Sequence, residues 1–215
     1  MRNALVVRGG WEGHVPVAAT EVFLPGLAAD GFAVEIAEDL DVYRDADRLA
    51  RTDLIVQCWS QGTLTAEQAA GLTAAVHAGT GFAGWHGGIV GTFTGNTAYL
   101  RMVGGLFLFH PDEFLSYAVH VDQPEHPIMA GLGDFDVFSE QYWMLHDDRN
   151  DVLAHTVIAA DSAGQGAGAV TMPVVWTRRW GAGKVFFSAV GHRVEDLEAP
   201  AVRELTRRGM AWAAR

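Results

Sequence analysis

The sequence has few of the features that would link it to a secreted or membrane protein. Cys58 is its one cysteine among 215 residues, which excludes an intrachain disulfide, and nothing in the thiol content requires an oxidising compartment. Near the start, the apolar run at residues 4–7 is too short for a signal peptide or a membrane span. We therefore expect a cytoplasmic protein with no membrane partner.

Basic residues are also scarce. Lysine and arginine number 15 against 26 aspartates and glutamates, which gives a formal net charge of -11 at pH 7. The chain has no cluster of lysine and arginine that would override this balance. An acidic surface repels nucleic acids and anionic membranes, so neither is an expected partner.

What the sequence does contain is typical of a folded globular protein. Hydrophobic residues make up 49% of the chain and charged residues 19%, which argues against disorder. A length of 215 residues is enough for one α/β domain with a substantial core. Because no internal repeat, linker or low-complexity segment interrupts the chain, we predict a single domain over residues 1–215.

The first half of the chain alternates strand and helix patterns. Short apolar runs predict strands at residues 4–8, 32–38, 53–59 and 81–85, with no helix between the second and third. A helix is expected over residues 17–29, where Pro25 should kink or end it. A second helix should start after Thr65, which stands in capping-box spacing with Gln68, and end at Gly79. This pattern predicts a parallel sheet that is covered by helices on both faces.

The second half is richer in strands. Strand patterns occupy residues 114–121, part of 134–145, 152–160 and 172–180, and another buried strand precedes Gly191 and His192. The glycine-rich residues 161–170 are predicted to form a hairpin tip. The last helix is expected at about residues 200–213. The whole chain is thus expected to form an α/β fold.

The ends of the predicted strands carry the residues of chemical interest. In an open parallel sheet, ligands bind beyond the carboxyl ends of the strands. The first strand leads to Trp11 and His14, the third to Trp59, the fourth to His86 and the last to His192. Glycines next to each histidine indicate tight turns through which the backbone can approach a ligand. Three imidazoles are therefore predicted to meet at one edge of the sheet.

Four segments of the sequence resemble the signature segments of the ThuA-like, or trehalose utilisation, proteins. They are GTGFAGWHGG, GLFLFHPDEF, SEQYW and MPVVWTRRWGAGKVFFSAVGH, in the order typical of that family. The last is the most specific, because it combines Pro-x-x-Trp-Thr-Arg, Gly-x-Gly-Lys-Val-Phe and Gly-His. The resemblance implies a flavodoxin-like, three-layer sandwich of the class I glutamine amidotransferase type, with a mostly parallel central sheet, and a role in carbohydrate metabolism.

The turn after the fourth strand differs from that of the amidotransferases at its central residue. In those enzymes the turn reads Gly-x-Cys-x-Gly, whereas residues 84–88 of this chain read Gly-Trp-His-Gly-Gly, with His86 at the cysteine position. Glutamine hydrolysis through a thioester is therefore not expected. Cys58 does not supply the thiol, since its place at the end of a strand favours a small buried apolar residue.

Histidine at this turn has three interpretations. His86 acts as a general acid or base, or it binds a metal ion together with His14, His110 or His192, or it forms a hydrogen bond with the following loop. His110 precedes a proline, which favours an extended loop that reaches over a site.

Glu140 and Tyr142 form a second candidate group. Glu140 lies in an apolar neighbourhood, where an unpaired carboxylate is costly. We expect it to act as an acid or an orienting partner for His86, to bind sugar hydroxyls, or to form a salt bridge with Arg178 or Arg179. Tyr142 follows two residues later and would share the face of Glu140 in a strand.

Seven tryptophans are many for this length, and sugar sites often stack an aromatic ring against the C–H face of the sugar. Trp11, Trp59, Trp85 and Trp176 lie near the predicted site edge, and each is a candidate for sugar stacking or for core packing. Trp212 fits the apolar face of the last helix.

The preferred hypothesis is an enzyme of the ThuA-like kind that acts on a disaccharide such as trehalose, or on an oxidised (keto) sugar derived from it. Proton transfer is the reaction that histidines supply best: His86 moves the proton, His192 or His110 polarises the carbonyl, and Glu140 orients an imidazole. The alternatives are a non-catalytic sugar-binding or regulatory module and a metal-dependent hydrolase. No cofactor is predicted, whereas a bound divalent metal and a homo-oligomeric state both stay open.

Overall fold

The chain alternates strands and helices in its first half and then runs through consecutive strands before two final helices. The structure, a computed structural model, describes residues 2–160, 162 and 168–215. The strands are β1 Arg2–Gly10, β2 Phe32–Ala37, β3 Leu54–Ser60, β4 Gly81–Trp85, β5 Gly105–Phe109, β6 Leu115–Val121, β7 Phe135–Ser139, β8 Trp143–His146, β9 Asp151–Ile158, β10 Val170–Trp180 and β11 Gly183–Ser188. The helices are α1 Pro16–Glu21, α2 Leu24–Ala29, α3 Ala46–Arg51, α4 Ala66–Ala78, α5 Thr97–Val103, α6 Val194–Glu198 and α7 Pro200–Ala213. Short 3-10 turns span Glu12–His14, Leu40–Arg44 and His86–Gly88.

Within these described residues, nine strands form one sheet in the order β2-β1-β3-β4-β11-β10-β9-β6-β7, and β5 pairs with β8 in a separate ribbon. The first five strands of that order run parallel to one another. The other four extend the sheet in antiparallel fashion. The predicted α/β fold around a largely parallel sheet is therefore confirmed. Because β1, β3, β4 and β11 run in one direction, their carboxyl ends meet at the same edge.

Helices cover both faces of the parallel strands. α1, α2, α6 and α7 pack on one face, and α3, α4 and α5 pack on the other. Strand β4 is buried at every position, as expected for a central strand with helices above and below it. α7 packs so close to β11 that a side chain at Gly209 would overlap the buried Phe186 ring.

Two local signals in the sequence are confirmed at helix ends. The Thr65 hydroxyl accepts a hydrogen bond from the Gln68 amide, and the Gln68 side chain accepts one from the Thr65 amide, which is the predicted capping box. The helix expected over residues 17–29 is broken between α1 and α2. Pro25 stands in the first turn of α2, a position where its missing N–H costs nothing.

Two elements differ from the sequence prediction. Helix α3 lies between β2 and β3, although no helix is expected there. Asp45 caps its N-terminus, and the Asp45 side chain accepts a hydrogen bond from the Arg48 amide. The helix is six residues long and buries one apolar residue, Leu49, so its sequence shows no repeat of apolar residues at helical spacing. The predicted strand region at 134–145 forms two strands, β7 and β8. Glu140 and Tyr142 lie in the connection between them.

Strands β9 and β10 are antiparallel neighbours in the sheet. The hairpin tip predicted at residues 161–170 falls mostly on residues 161 and 163–167, which lie outside the described residues. In the part of the chain that the structure does describe, no helix combines the length and the apolar character needed to cross a bilayer.

Candidate active site

The turn after β4 brings His86 to the carboxyl edge of the sheet. His86 has a φ of 50°, in the left-handed region that residues other than glycine seldom adopt. A side chain at Gly84 would overlap the Gln57 carbonyl of the neighbouring strand, and one at Gly87 would overlap the His14 ring. The glycine spacing of the sequence therefore allows a tight turn against β3 and a close approach of His14.

The His86 imidazole is held by a different partner at each of its two nitrogens. Nδ1 lies 2.8 Å from the carbonyl oxygen of Ala189. Because a carbonyl oxygen only accepts hydrogen bonds, Nδ1 carries the proton of the neutral ring. Nε2 lies 2.6 Å from the Tyr142 hydroxyl and 3.0 Å from Glu140 Oε2, and the His86 ring stacks on the Tyr142 ring. In this tautomer Nε2 accepts a hydrogen bond from the Tyr142 hydroxyl, and no proton lies between Nε2 and the Glu140 carboxylate.

The buried Glu140 carboxylate is the common neighbour of three imidazoles. Its Oε2 contacts His86, while its Oε1 lies 3.1 Å from His192 Nδ1 and 3.4 Å from His110 Nε2. Of the two kinds of partner expected for Glu140, the structure therefore contains the histidines. Arg178 instead binds the side chains of an asparagine and an aspartate elsewhere.

His14 completes the group from the turn after β1. Its Nδ1 lies 2.5 Å from the Ser60 hydroxyl at the end of β3, and its ring centroid lies 4.8 Å from that of His86 and 4.9 Å from that of His192. One nitrogen or oxygen atom from each of His14, His86, Glu140 and His192 lies within 4.8 Å of the others. These four residues are called the His–Glu cluster below.

Burial and the contacts between the side chains set the pKa values of His14, His86 and Glu140. Burial, followed by the neighbouring His86 and His192, lowers the pKa of His14 to about 3. Burial also lowers the pKa of His86, against the opposing effect of the Glu140 carboxylate. Burial alone would raise the pKa of Glu140, but its contacts with His192 and His86 hold the pKa below its ordinary value. At neutral pH, the group therefore contains an anionic carboxylate next to neutral His14 and His86.

The His–Glu cluster meets solvent on the side of Trp11 and His110. Trp11 is 46% exposed and lies edge-on to His14, and the side chain of His110 is 29% exposed. His86 is 1% exposed and lies beneath them. The expectation that His86 itself exchanges protons with a substrate in an open cleft is therefore corrected, because a buried ring cannot reach the substrate. The imidazoles that a ligand can reach are those at the rim.

Two of the four candidate tryptophans lie in the core. Trp85 is 1% exposed and packs against Phe23, and Trp176 is fully buried against Phe187. The indole N–H of Trp176 donates to a backbone carbonyl. Neither ring has a face that a sugar can reach, so the stacking role expected for them is corrected to core packing. Trp59 is partly buried, with its ring close to two glycines, and stays a candidate together with Trp11.

Two groups that orient the histidines had no predicted role. Ser60 holds His14 through its hydroxyl, and Ala189 holds His86 through its carbonyl oxygen. Ser60 ends the third strand at the site edge, so its position was a usable signal. The Ala189 contact is made by the backbone, which carries no side-chain signal in the sequence.

The comparison with known families agrees with the resemblance of the sequence segments. The family model for ThuA, described as trehalose utilisation, matches residues 3–213. The chain belongs to the ThuA family. No protein with a curated description matches this ThuA sequence.

Solved structures show the same fold at low sequence identity. A ThuA-like protein from Bacteroides uniformis is 20% identical, with a TM-score of 0.82 over 99% of this ThuA chain and 91% of its own. A cytoplasmic protein from Salmonella typhimurium is 16% identical, with a TM-score of 0.69 over the full length of both chains. A β-galactosidase from Bacillus circulans is 12% identical, with a TM-score of 0.60 over 94% of this chain and 31% of its own.

Proposed function

We propose that this ThuA-family protein is a cytoplasmic enzyme that acts on an oxidised (keto) sugar derived from a disaccharide such as trehalose. The proposal depends mainly on one observation, the convergence of three imidazoles on the Glu140 carboxylate at the carboxyl edge of the parallel strands. This edge is where open α/β sheets bind their ligands. The trehalose-utilisation family supplies the carbohydrate class, and the Salmonella neighbour described as cytoplasmic supports the location.

The reaction is a proton transfer at the carbon next to the keto group. A base removes the proton, and the electron pair of the C–H bond moves toward the carbonyl oxygen to form an enolate. Protonation of the enolate oxygen gives an enediol, and loss of the other hydroxyl proton with protonation of the former carbonyl carbon gives the isomeric ketone. Loss of a substituent from the next carbon of the enolate, with its bonding electrons, gives an elimination product. Each step conserves electrons without an oxidant or a thiol nucleophile.

His110 is the base in this proposal. Its Nδ1 lies 2.8 Å from the Asp112 carbonyl oxygen, so Nδ1 carries the proton and Nε2 is free to accept another. Nε2 lies 3.4 Å from Glu140 Oε1, at the boundary between solvent and the His–Glu cluster. The substrate carbonyl then faces the cluster, and the exposed Trp11 ring lies beside the sugar.

Solvent-proton exchange tests this function directly. The protein is incubated in D₂O with the 3-keto derivative of trehalose, and deuterium at the carbons next to the keto group is followed by NMR. We expect rapid exchange for the natural sequence. His110→Gln should be slower by about 10²- to 10⁴-fold, the usual contribution of a positioned base. His146→Gln, at an exposed residue of β8, should match the natural protein.

Two outcomes would contradict these assignments. If the natural protein exchanges no proton and forms no product, the sugar-converting function is wrong, and sugar binding without turnover would then indicate a binding module. If His110→Gln exchanges at the natural rate, His110 is not the base.

A further inference from the structure

The nitrogen atoms of the His–Glu cluster are arranged as metal ligands are. His86 donates Nδ1–H to a backbone carbonyl, and the Nδ1 atom of His14 is bound to the Ser60 hydroxyl. This leaves Nε2 of His14 as the nitrogen available to an ion, and Nε2 of His86 becomes available when an ion displaces the Tyr142 hydroxyl from it. Metal-binding histidines almost always use one ring nitrogen for such an orienting hydrogen bond and the other for the ion.

His192 supplies a second and independent observation. Its Nδ1 atom is buried, and among the residues that the structure describes it has no hydrogen-bond partner. Glu140 Oε1 lies 3.1 Å away but without hydrogen-bond geometry. Buried polar atoms are nearly always satisfied, so an orphaned nitrogen next to a carboxylate calls for an explanation. An ion between the two atoms would satisfy both of them.

The dimensions of the cluster suit a single ion. The four candidate ligand atoms lie within 4.8 Å of one another. Metal–ligand bonds of about 2.0 to 2.2 Å place ligands on opposite sides of an ion roughly 4.0 to 4.4 Å apart, so small side-chain movements of His14, Glu140 and His192 toward the fixed His86 ring bring all four atoms into range. The ligands also come from four separate segments of the chain, after β1, β4, β7 and β11, so the sheet edge fixes their positions.

We propose that His14, His86, Glu140 and His192 bind one divalent first-row transition metal ion such as Zn²⁺, Co²⁺ or Mn²⁺. Imidazole nitrogen and carboxylate oxygen are the ligands that these ions accept together. The rim of Trp11 and His110 leaves an approach for a sugar oxygen to the ion. The site is the one used in the proposed function, and an ion held there by His14, His86, Glu140 and His192 would supply an electrophile for the substrate carbonyl.

A second histidine group provides a matched control. His120 and His155 lie with ring centroids 5.2 Å apart, and each contacts an aspartate at 2.8 Å. These side chains are partly exposed, and their Nδ1 atoms already contact carboxylates. Metal ions bound by this pair would therefore be adventitious ions at the surface. Replacing both by alanine should leave the site at the sheet edge intact.

Metal titration of the full chain tests the proposal. Protein treated with a chelator is titrated with ZnCl₂ by calorimetry and with CoCl₂ by visible absorption. We expect one ion per chain for the natural protein and for the His120→Ala/His155→Ala control. His192→Ala and Glu140→Gln should each weaken binding by more than about 100-fold, and Ser60→Ala by about 10- to 100-fold, as for orienting residues. Tyr142→Phe should keep the ion, because its hydroxyl competes for His86 Nε2 rather than holding the metal.

Three results would overturn the metal site. They are no binding by the natural protein, loss of binding in the His120→Ala/His155→Ala control, and undiminished binding by a His192→Ala protein with an unchanged thermal midpoint. Metal binding is measured without sugar, so it is independent of the proposed function. One ion per chain with no deuterium exchange contradicts the sugar reaction alone, and full exchange by a protein that takes up no ion in the titration contradicts the metal site alone.

Discussion

His86 occupies the position of a nucleophile but is arranged as a fixed support. A left-handed φ, a hydrogen bond from Nδ1 and a stacked Tyr142 ring leave the imidazole no freedom to rotate. Such strain persists only where the surrounding structure determines the conformation, and it is common at functional sites. The turn therefore fixes one nitrogen lone pair in space, which suits the binding of an ion or a partner group better than the movement of a proton.

Cys58 provides a prediction at the residue scale. Burial raises the pKa of its thiol to about 12, although Arg8 acts in the opposite direction. Since only the thiolate is nucleophilic, we expect negligible reaction of the folded protein with a thiol reagent at pH 8 and one rapid equivalent after unfolding in guanidinium. Colorimetric thiol titration measures both. Fast modification of the folded protein would mean that the thiol is accessible and that amidotransferase-like chemistry must be reconsidered.

The positions of His14, His86 and His192 near one another follow from a simple rule about parallel strands. Each histidine comes after a recognisable apolar strand, and such strands end at a common edge. The same rule misplaces Trp85 and Trp176. Both lie within strands rather than after them. The sequence pattern does not show which side chains near the end of a strand will be covered by a helix. Burial of an aromatic residue is a property of the packed layers, not of the local sequence.

At the scale of the element, the turn after β4 can be predicted, because the spacing of its glycines marks the positions where the backbone lies against neighbouring segments. Helix α3 is not, since six residues with one buried side chain carry too little pattern. The division of residues 134–145 into β7 and β8 is also hidden, because both strands look alike in isolation. It depends on their separate partners, β6 and β5.

Gly87 provides a prediction for the turn. A side chain at this position would overlap the His14 ring, whereas a side chain at Gly95 would meet no atom within 4 Å. Gly87→Ala should displace His14 and reduce kcat/KM for the keto-sugar by about 10²-fold, the cost of a misplacement of about 1 Å in an active site. Gly95→Ala should keep the natural activity. Equal activity of the two variants, at equal thermal midpoints, would show that the position of His14 is unimportant.

At the scale of the whole molecule, the site joins the two parts of the sheet. The parallel strands supply the three histidines of the cluster, and the antiparallel extension returns Glu140 and Tyr142 to the same edge. The first contribution can be predicted from the order of strands and helices. The positions of Glu140 and Tyr142 cannot be predicted, because they depend on the pairing of β6 with β9 and β7, and β6 and β9 lie far apart in the chain.

A second region of the molecule competes for the role of the sugar site. A cavity of about 700 Å³ lies toward the opposite edge of the sheet, with lining residues that include Arg101, Arg178, Arg179, Trp180 and Trp212. Arginine and tryptophan suit a sugar or an anion, but the lining contains none of the residues of the His–Glu cluster. We therefore place the proposed reaction at the cluster, where the groups able to transfer protons or bind an ion converge.

A crystal structure of the protein soaked with the 3-keto derivative of trehalose tests this assignment most directly. We expect the sugar beside the Trp11 ring, with its keto oxygen directed at the His–Glu cluster and a neighbouring carbon within reach of His110 Nε2. Sugar bound in the arginine-lined cavity, with the His–Glu cluster free of ligand, would contradict the account.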